Sequence, residues 1–309
     1  MNTKNISTTQ LAKICGVSQG TVDRALNNRK GISHKTKEKI LSAAKEYGYK
    51  PNIHARCISG GKSQLIGVVV FDVYNEYFSD ILTHIEDNCR KSNYSTVVMF
   101  TNKDAEKEIN CIKNLYDMSV DGIVLCPINS GVNYENYLKS LNIPIITIGN
   151  RLNNFHYVGI DNFAAVKNAI ECAVNKGYKK LLYVKPKLIE RNTSAQTERI
   201  SAFKNICEEL RIDYIITNIE NAETHIKSKE DAIICPTDIY AIKLLPVAKK
   251  YNAGIIGFDN IHIIDEIDLK LDSVSYDICT AAKIITDYII NKKEEISVVS
   301  HKIINRGSL

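Results

Sequence analysis

No run in this sequence approaches the ~18 consecutive apolar residues that a membrane-spanning helix needs. The opening residues, Met1 to Gln10, are polar and hold no apolar stretch of a secretory leader. Both absences point to the cytosol. The nine cysteines, at 15, 57, 89, 111, 126, 172, 207, 235 and 279, are scattered singly with no C-x-x-C pair. That pattern favours small, reduced, partly buried hydrophobes over disulfides or metal ligands. The seven histidines form no H-x3-H pair, so no metal site is expected. No G-x-G-x-x-G follows the first strand-like run, which disfavours a dinucleotide site, and no G-x-S-x-G elbow frames a nucleophile. Neither a cofactor nor a catalytic residue is therefore expected, and an enzyme would require a catalytic set that the sequence does not display.

What is present is a globular chain of 309 residues with an ordinary apolar fraction of 44%, long enough for two or three units. Its charge is unevenly divided. Residues 1–62 hold twelve Lys/Arg and three acids, a net +9, while the other 247 residues are net −4. A basic head on a mildly acidic body is the footprint of a polyanion-binding module.

Three short helices fit residues 8–50. Thr8-Thr9 caps a first helix that runs to Lys13 or Ile14, with Leu11, Ala12 and Ile14 apolar and Gly16 as the stop. Ser18 caps a second, Gln19 to Leu26, ended by Asn27-Asn28. Ser33 caps a third, Lys35 to Tyr47, with Ile40, Leu41, Ala44 and Tyr47 at helical spacing and Gly48 closing it. Pro51 suits the start of a further helix, Asn52 to Ile58, and Ser59-Gly60-Gly61 reads as a linker.

From Leu65 the pattern becomes strands alternating with helices. Apolar runs occur at Leu65–Phe71, Thr96–Phe100, Gly122–Cys126, Ile143–Ile148, Leu181–Val184, Tyr214–Thr217, Ala232–Cys235 and Gly254–Phe258, with helical patterns such as Tyr77–Lys91 and Phe163–Lys176 between them. Near-continuous apolar strands with helices between them imply parallel sheets covered on both faces, here two α/β subdomains with ligands at the carboxyl ends of the strands.

In the head, Val22, Ala25 and Leu26 form the packing face of the second helix, and Gln19, Gly20, Asp23 and Arg24 face outward. Gln can bond an adenine edge and Arg a guanine edge. Ser18, Thr21, Asn27, Ser33 and Thr36 are placed to bond phosphates. The residues alone leave open a plain helical bundle whose polar groups are merely solvated.

Residues 8–58, from T-Q-L-A-K-I-C-G-V-S-Q-G-T-V-D-R-A-L-N to Y-G-Y-K-P-N-I-H-A-R-C-I, closely resemble the head and hinge of the lac repressor family. The resemblance implies sequence-specific operator binding by a helix-turn-helix head. Asp23 departs from the family's usual serine, and Gly20 reads bases poorly, which shifts the readout to Gln19 and Arg24. It further implies that 52–59 is the hinge helix, with Asn52 at its start, Ala55 small enough for close helix approach, and Ile58 in the position of the minor-groove wedge.

The resemblance extends over most of residues 65–309 through I-G-V-V-V, V-D-G-I-V-L, I-P-I-I-T-I-G-N-R, V-G-I-D-N, K-G-Y-K-K-L, T-D-I-Y-A-I, G-F-D-N and the ending H-K-I-I-N-R-G-S-L. It implies a periplasmic-binding-protein-like effector core. Matching positions for ligand binding are Asn75, Tyr77 and Phe78 after the first strand, Asn150 and Arg151 after the fourth, Arg199, Thr237, Asp259 and Tyr276. Amide, carboxylate and guanidinium groups beside aromatic faces suit a sugar or polyol. Glu76 replaces a common proline and Thr237 a common asparagine, so a purine or another polar metabolite stays open as the effector.

The expectation is thus an N-terminal all-α helix-turn-helix head (1–50), a hinge helix and linker (51–62), and an α/β periplasmic-binding-protein-like core of two parallel-sheet subdomains (63–309). The core divides into 63–161 plus 290–309, and 162–289. The resemblance implies a homodimer on pseudo-palindromic operator DNA, with helix 77–91 contributing to the interface. An uptake binding protein shares such a core, but the basic head and the lack of a leader argue against it.

Overall fold

Ser7 opens the first helix, α1 (Thr8–Cys15), through a reciprocal cap: its Oγ accepts from Gln10 N–H at 3.2 Å and its own N–H donates to the Gln10 side chain at 2.8 Å. The cap thus falls one residue before the expected Thr8-Thr9. Gly16, at φ 64°, ends the helix, because a glycine takes the left-handed turn without a Cβ clash. The second and third helices are α2 (Gln19–Leu26) and α3 (His34–Glu46). Ser18 Oγ and Ser33 Oγ accept from the N–H groups of Thr21 and Thr36, each at 3.1 Å.

Leu11, Ala12, Cys15, Val22, Ala25 and Ile40 are buried together as the core of this bundle. Ile14, Leu41 and Tyr47, expected on the packing faces, are instead 42%, 42% and 47% exposed. Burial of Leu11, Ala12 and Cys15 sets the inward stripe of α1 and turns Ile14 out. Ile40, with Ala43 and Ala44 one turn on, does the same to Leu41. Tyr49 takes the place expected of Tyr47, packing on the bundle with its hydroxyl 3.0 Å from Thr8 Oγ1.

The computed structural model describes residues 6–26, 28–49, 62–187, 193–293 and 298–309. The chain divides into two units, Met1–Ser63 and Gln64–Leu309. In the second unit the elements are β1 (Leu65–Val70), α4 (Glu76–Lys91), β2 (Ser95–Phe100), α5 (Ala105–Asp117), β3 (Gly122–Leu125), α6 (Val132–Ser140), β4 (Ile145–Ile148) and β5 (His156–Ile160). They continue with α7 (Asn162–Asn175), β6 (Lys180–Val184), α8 (Ser194–Leu210), β7 (Asp213–Thr217), α9 (Ala222–His225), β8 (Asp231–Ile234), α10 (Asp238–Tyr251) and β9 (Gly254–Phe258). Last come α11 (Ile263–Glu266), β10 (Asp272–Tyr276), α12 (Ile278–Asn291), β11 (Val298–Val299) and β12 (His301–Ile304). No helix among the described residues is long and apolar enough to cross a membrane.

Among the described residues the strands form two six-stranded sheets, ordered β2-β1-β3-β4-β5-β11 and β7-β6-β8-β9-β10-β12. All pairings are parallel except β10 with β12. β3, β4, β8 and β9 are buried along their whole length, as strands covered on both faces must be. β4 starts at Ile145, two residues later than expected, because Pro144 has no N–H to give to the ladder. β10, D-S-V-S-Y, is too polar to read as a buried strand. Asp272 and Ser273 are nonetheless 0% exposed because each is bonded: Asp272 accepts from Arg306 and Gly307 N–H, and Ser273 donates to Asp238.

The expected subdomain limits need correction. α12 packs on α4 and on the first sheet, where Ile289 Cγ2 lies 2.5 Å from the point a Cβ on Gly122 would occupy. It therefore belongs with 65–160, not with 162–289. β12 joins the second sheet, so the segment 290–309 is shared and not confined to the first subdomain. The chain crosses between subdomains at 160–162, 276–278 and 299–301.

Candidate functional site

The carboxyl ends of strands from both sheets enclose a cavity of about 380 Å³. β1 leads into Phe71, Asn75, Tyr77 and Phe78, β3 into Cys126, and β4 into Gly149 and Asn150. From the second sheet come Thr237 after β8, Asp259 after β9 and Tyr276 at the end of β10, with Gln196 and Arg199 from α8. This is where open α/β sheets bind ligands, because the strand ends and helix starts converge there.

Asp259 is the centre of the polar wall. Asn75 Nδ2 donates to one of its oxygens at 3.0 Å, from the opposite subdomain, and Tyr276 OH donates to the other at 2.6 Å. The residue sits at φ 99°, a conformation that costs a non-glycine residue about 1–3 kcal/mol and persists only where the surroundings enforce it. They do: Asp259 N–H bonds Val274 O at 3.0 Å, Asn260 N–H bonds Ser273 Oγ at 3.0 Å, and Arg306 Nη2 bonds Asn260 Oδ1 at 2.8 Å. Burial pushes the Tyr77 and Tyr276 phenols well above their ordinary range, so both stay protonated. The rings of Tyr77 and Tyr276 meet edge to face with centroids 5.4 Å apart, and Tyr77 meets Phe78 at 5.1 Å.

Arg199 is 7% exposed. Its Nε donates to Asn162 Oδ1 at 2.8 Å and its Nη1 to Pro236 O at 3.0 Å, while the guanidinium lies 4.2 Å from the Phe258 ring centre. Asn162 Nδ2 in turn donates to Glu198 Oε2 at 2.7 Å, and Glu198 Oε1 pairs with Arg151 Nε at 3.1 Å. Arg151 therefore does not line the cavity. It belongs to a polar chain behind the wall and covers the Tyr157 ring at 3.9 Å, and that ring does line the cavity. Asn150 Oδ1 accepts from Ala195 N–H at 3.3 Å, a further bond between subdomains. The other expected ligand residues (Asn75, Tyr77, Phe78, Asn150, Arg199, Thr237, Asp259 and Tyr276) all line the cavity.

Sequence reading missed Tyr157, Gln196 and Tyr240, which line it too. Tyr157 lies on β5, whose run H-Y-V-G-I was not read as a strand. Gln196 and Tyr240 sit in first turns of helices, where nothing in the one-dimensional pattern marks a side chain as facing a cleft. Among the described residues no group of His, Cys, Asp or Glu side chains is arranged to hold a metal ion.

Asp238, behind Asp259, is 0% exposed. Burial, and secondarily the nearby Asp259 charge, raises its carboxyl to about 8 despite bonds from Ser273 OH and the N–H groups of Ile261 and Asn260. A carboxyl raised in the fold relative to its unfolded value of 3.8 stabilises fully below pH 4 and loses that contribution as pH rises towards 8. The wild type is expected to lose up to ~1.4 kcal/mol of stability per pH unit across this window, relative to Asp238→Asn. The amide keeps the same two partners, its oxygen accepting from Ile261 N–H and its NH2 donating to Ser273 Oγ, which reverses the direction of the serine bond. Denaturant unfolding of both proteins from pH 5 to 9 measures the difference, and parallel curves would place the proton elsewhere.

On the head, Gln19, Gly20 and Arg24 are exposed on α2, on the side away from the buried Val22 and Ala25. Gln19 Nε2 donates to Thr9 Oγ1, which ties the start of α2 to α1. Asp23 pairs with Arg29 at 3.0 Å. The Ser18 and Ser33 hydroxyls also bond Thr21 Oγ1 at 2.9 Å and Thr36 Oγ1 at 2.8 Å, leaving two capped helix starts at the surface. The expected contacts at Asn27, Asn52, Ala55 and Ile58, and the hinge helix 52–59, lie outside the described residues.

Residues 9–52 match the lacI family of bacterial regulatory proteins, and residues 66–263 match the periplasmic binding protein domain. The second match covers more than half of the chain and coincides with the unit that holds the cavity. The chain belongs to the lacI family, with a helix-turn-helix head on a periplasmic-binding-protein core. It is similar to catabolite control protein A of Priestia megaterium, 26% identical over 98% of this chain and 99% of that protein. It is also similar to the sucrose operon repressor of Streptococcus mutans, 27% identical over 92% of each. The fold matches that of the lac repressor dimer bound to operator and the anti-inducer ONPF, with a TM-score of 0.82 at 18% identity, covering 99% of this chain and 100% of that one. This lacI-family chain is a DNA-binding transcriptional regulator, and its relatives are regulators and not enzymes.

Proposed function

We propose that this lacI-family regulator is a cytosolic repressor whose operator affinity is set by a neutral sugar or polyol in the core cavity. The observation that carries the reading is the cavity wall itself: Asp259, Arg199 and Asn75 from two subdomains, surrounded by the rings of Tyr77, Phe78, Tyr157 and Tyr276. Carboxylate, guanidinium and amide groups bond hydroxyls, and aromatic faces cover the apolar C–H surface of a sugar ring. The sucrose operon repressor among the relatives supports the same class.

A ligand bonding both walls favours one arrangement of the subdomains, and it shifts operator binding only by its differential affinity for the two arrangements. The working unit is a homodimer, since one head covers a half-site and two heads read a pseudo-palindrome; α4 contributes to its interface. A purine is the second reading, favoured by the number of rings in the wall.

The test selects bound duplexes from a random library with the full-length protein. Affinity for the selected duplex is then measured with D-ribose, D-xylose, D-glucose, sucrose, cellobiose, hypoxanthine and guanine. The expected result is a sequence of two inverted half-sites and a change of about tenfold or more with one sugar. A response to a purine alone would replace the sugar reading, and recovery of no common sequence would sink the operator reading. On the selected duplex Arg24→Ala is expected to lose about tenfold or more in affinity, and far less on random DNA, because a base-reading arginine contributes about 1–3 kcal/mol of discrimination. Equal losses on both would make Arg24 a phosphate contact.

A further inference from the structure

The polar groups of the cavity wall are largely engaged with one another. Asp259 accepts from Asn75 and Tyr276, one through each oxygen. Asn162 is engaged through both amide atoms, by Arg199 and Glu198, and Asn150 through both of its own, by Ala195 N–H and Pro127 O. Gln196 differs. It lines the cavity from the first turn of α8, and its Oε1 is buried with no hydrogen-bond partner among the described residues. A buried amide oxygen left without a donor is costly, and one in the wall of a cavity is placed to receive the missing bond from a ligand.

Gln196 precedes Arg199 by three residues, so the two side chains project from the same face of α8, one turn apart. Arg199 gives one N–H from Nε and one from Nη1 to the protein, which leaves the second Nη1 N–H and both N–H groups of Nη2 as donors. An acceptor and a donor at this spacing complement a pair of neighbouring hydroxyls, one donating and the other accepting. We infer that Gln196 is a specificity-determining residue of the cavity: its Oε1 accepts from one hydroxyl of a sugar whose neighbouring hydroxyl accepts from Arg199. This rests on the sugar reading of the site and names the group within it that discriminates. A ligand with no hydroxyl or N–H at that position leaves the oxygen unpaired and is rejected far more strongly than a mismatch in an apolar pocket would achieve.

The experiment compares the full-length wild type with Gln196→Leu, similar in volume but with no acceptor, by thermal unfolding alone and in titrations with D-ribose, D-xylose, D-glucose, sucrose and cellobiose. Without sugar, Q196L is expected to unfold at the same temperature as the wild type or slightly above it, since the unpaired oxygen is gone. The sugar that stabilises the wild type is expected to bind Q196L at least about tenfold more weakly. A variant that unfolds several degrees lower without sugar would assign Gln196 to structure and overturn the inference. Equal sugar affinity for the two proteins would overturn it as well. If none of the sugars stabilises the wild type, the sugar reading itself fails and the inference falls with it, an outcome distinct from equal binding.

Discussion

Gly257→Ala is expected to destabilise the core by about 3–5 kcal/mol, the sum of overpacking and of lost buried hydrogen bonds. A Cβ at this position would lie 2.0 Å from Asp238 Oδ1 and 3.1 Å from Asp238 Cα. The oxygen cannot swing aside without breaking its 2.6 Å bond from Ser273, and the Cα is backbone at the start of α10. Relief therefore requires the strand β9 and the helix to separate, which disturbs the loop carrying Asp259. Denaturant unfolding of the full chain measures the loss. In the double variant Gly257→Ala/Asp238→Ala the clash with the carboxyl is absent, so the combined loss is expected to be smaller than the sum of the single losses. Strict additivity would show that the two residues do not meet.

Arg199→Ala is expected to abolish the effector response and to cost about 2–4 kcal/mol in the absence of ligand, because buried partners are left unpaired. Asn162 Oδ1 and Pro236 O lose their donors, and the Phe258 ring loses the guanidinium stacked on it. Released from Arg199, Asn162 no longer holds Glu198 in a fixed position, so the pair of Glu198 with Arg151 loosens too. For a unit of this size the loss corresponds to a fall in Tm of roughly 5–15 °C. Arg199→Lys is not expected to rescue it, since an ammonium on a flexible stem cannot bond both acceptors and lie flat on a ring. Thermal unfolding and sugar-dependent DNA binding, measured on the same preparations, separate the two effects. A stable Arg199→Ala protein with an intact response would remove Arg199 from the site.

Much of this architecture is legible along the chain. The head announces itself through local signals: serines that cap helices, glycines that end them, and a charge segregated into the first 62 residues. The buried strands announce themselves because a parallel strand covered on both faces needs an apolar residue at nearly every position. Ligand candidates that follow such strands, Asn75, Asn150 and Asp259 among them, come to one cavity because strand ends converge in this fold.

The misreadings share a cause. Ile14 and Leu41 look like core residues by type, but the packing of Leu11, Cys15 and Ile40 decides which face turns in. β10 hides because its polar residues are satisfied by groups distant in sequence, Asp272 by the backbone of 306–309 and Ser273 by Asp238. Arg151 has the right chemistry and the right neighbour, yet the Glu198 carboxylate from the other subdomain draws it behind Tyr157.

The sequence by itself thus determined the kinds of units and their order, because these follow from local propensity and from periodic burial, and it named candidates for bonding DNA or a hydroxylated ligand by their chemistry. The tertiary structure decided which of those residues share a wall, that α12 joins the first sheet while β12 joins the second, and that Gln196 keeps an unpaired acceptor in the cavity. Those outcomes depend on partners that lie outside the element itself, from about thirty residues away for β12 on β10 to 184 for Asn75 on Asp259, and no pattern along one strand or helix encodes which distant group will be waiting there.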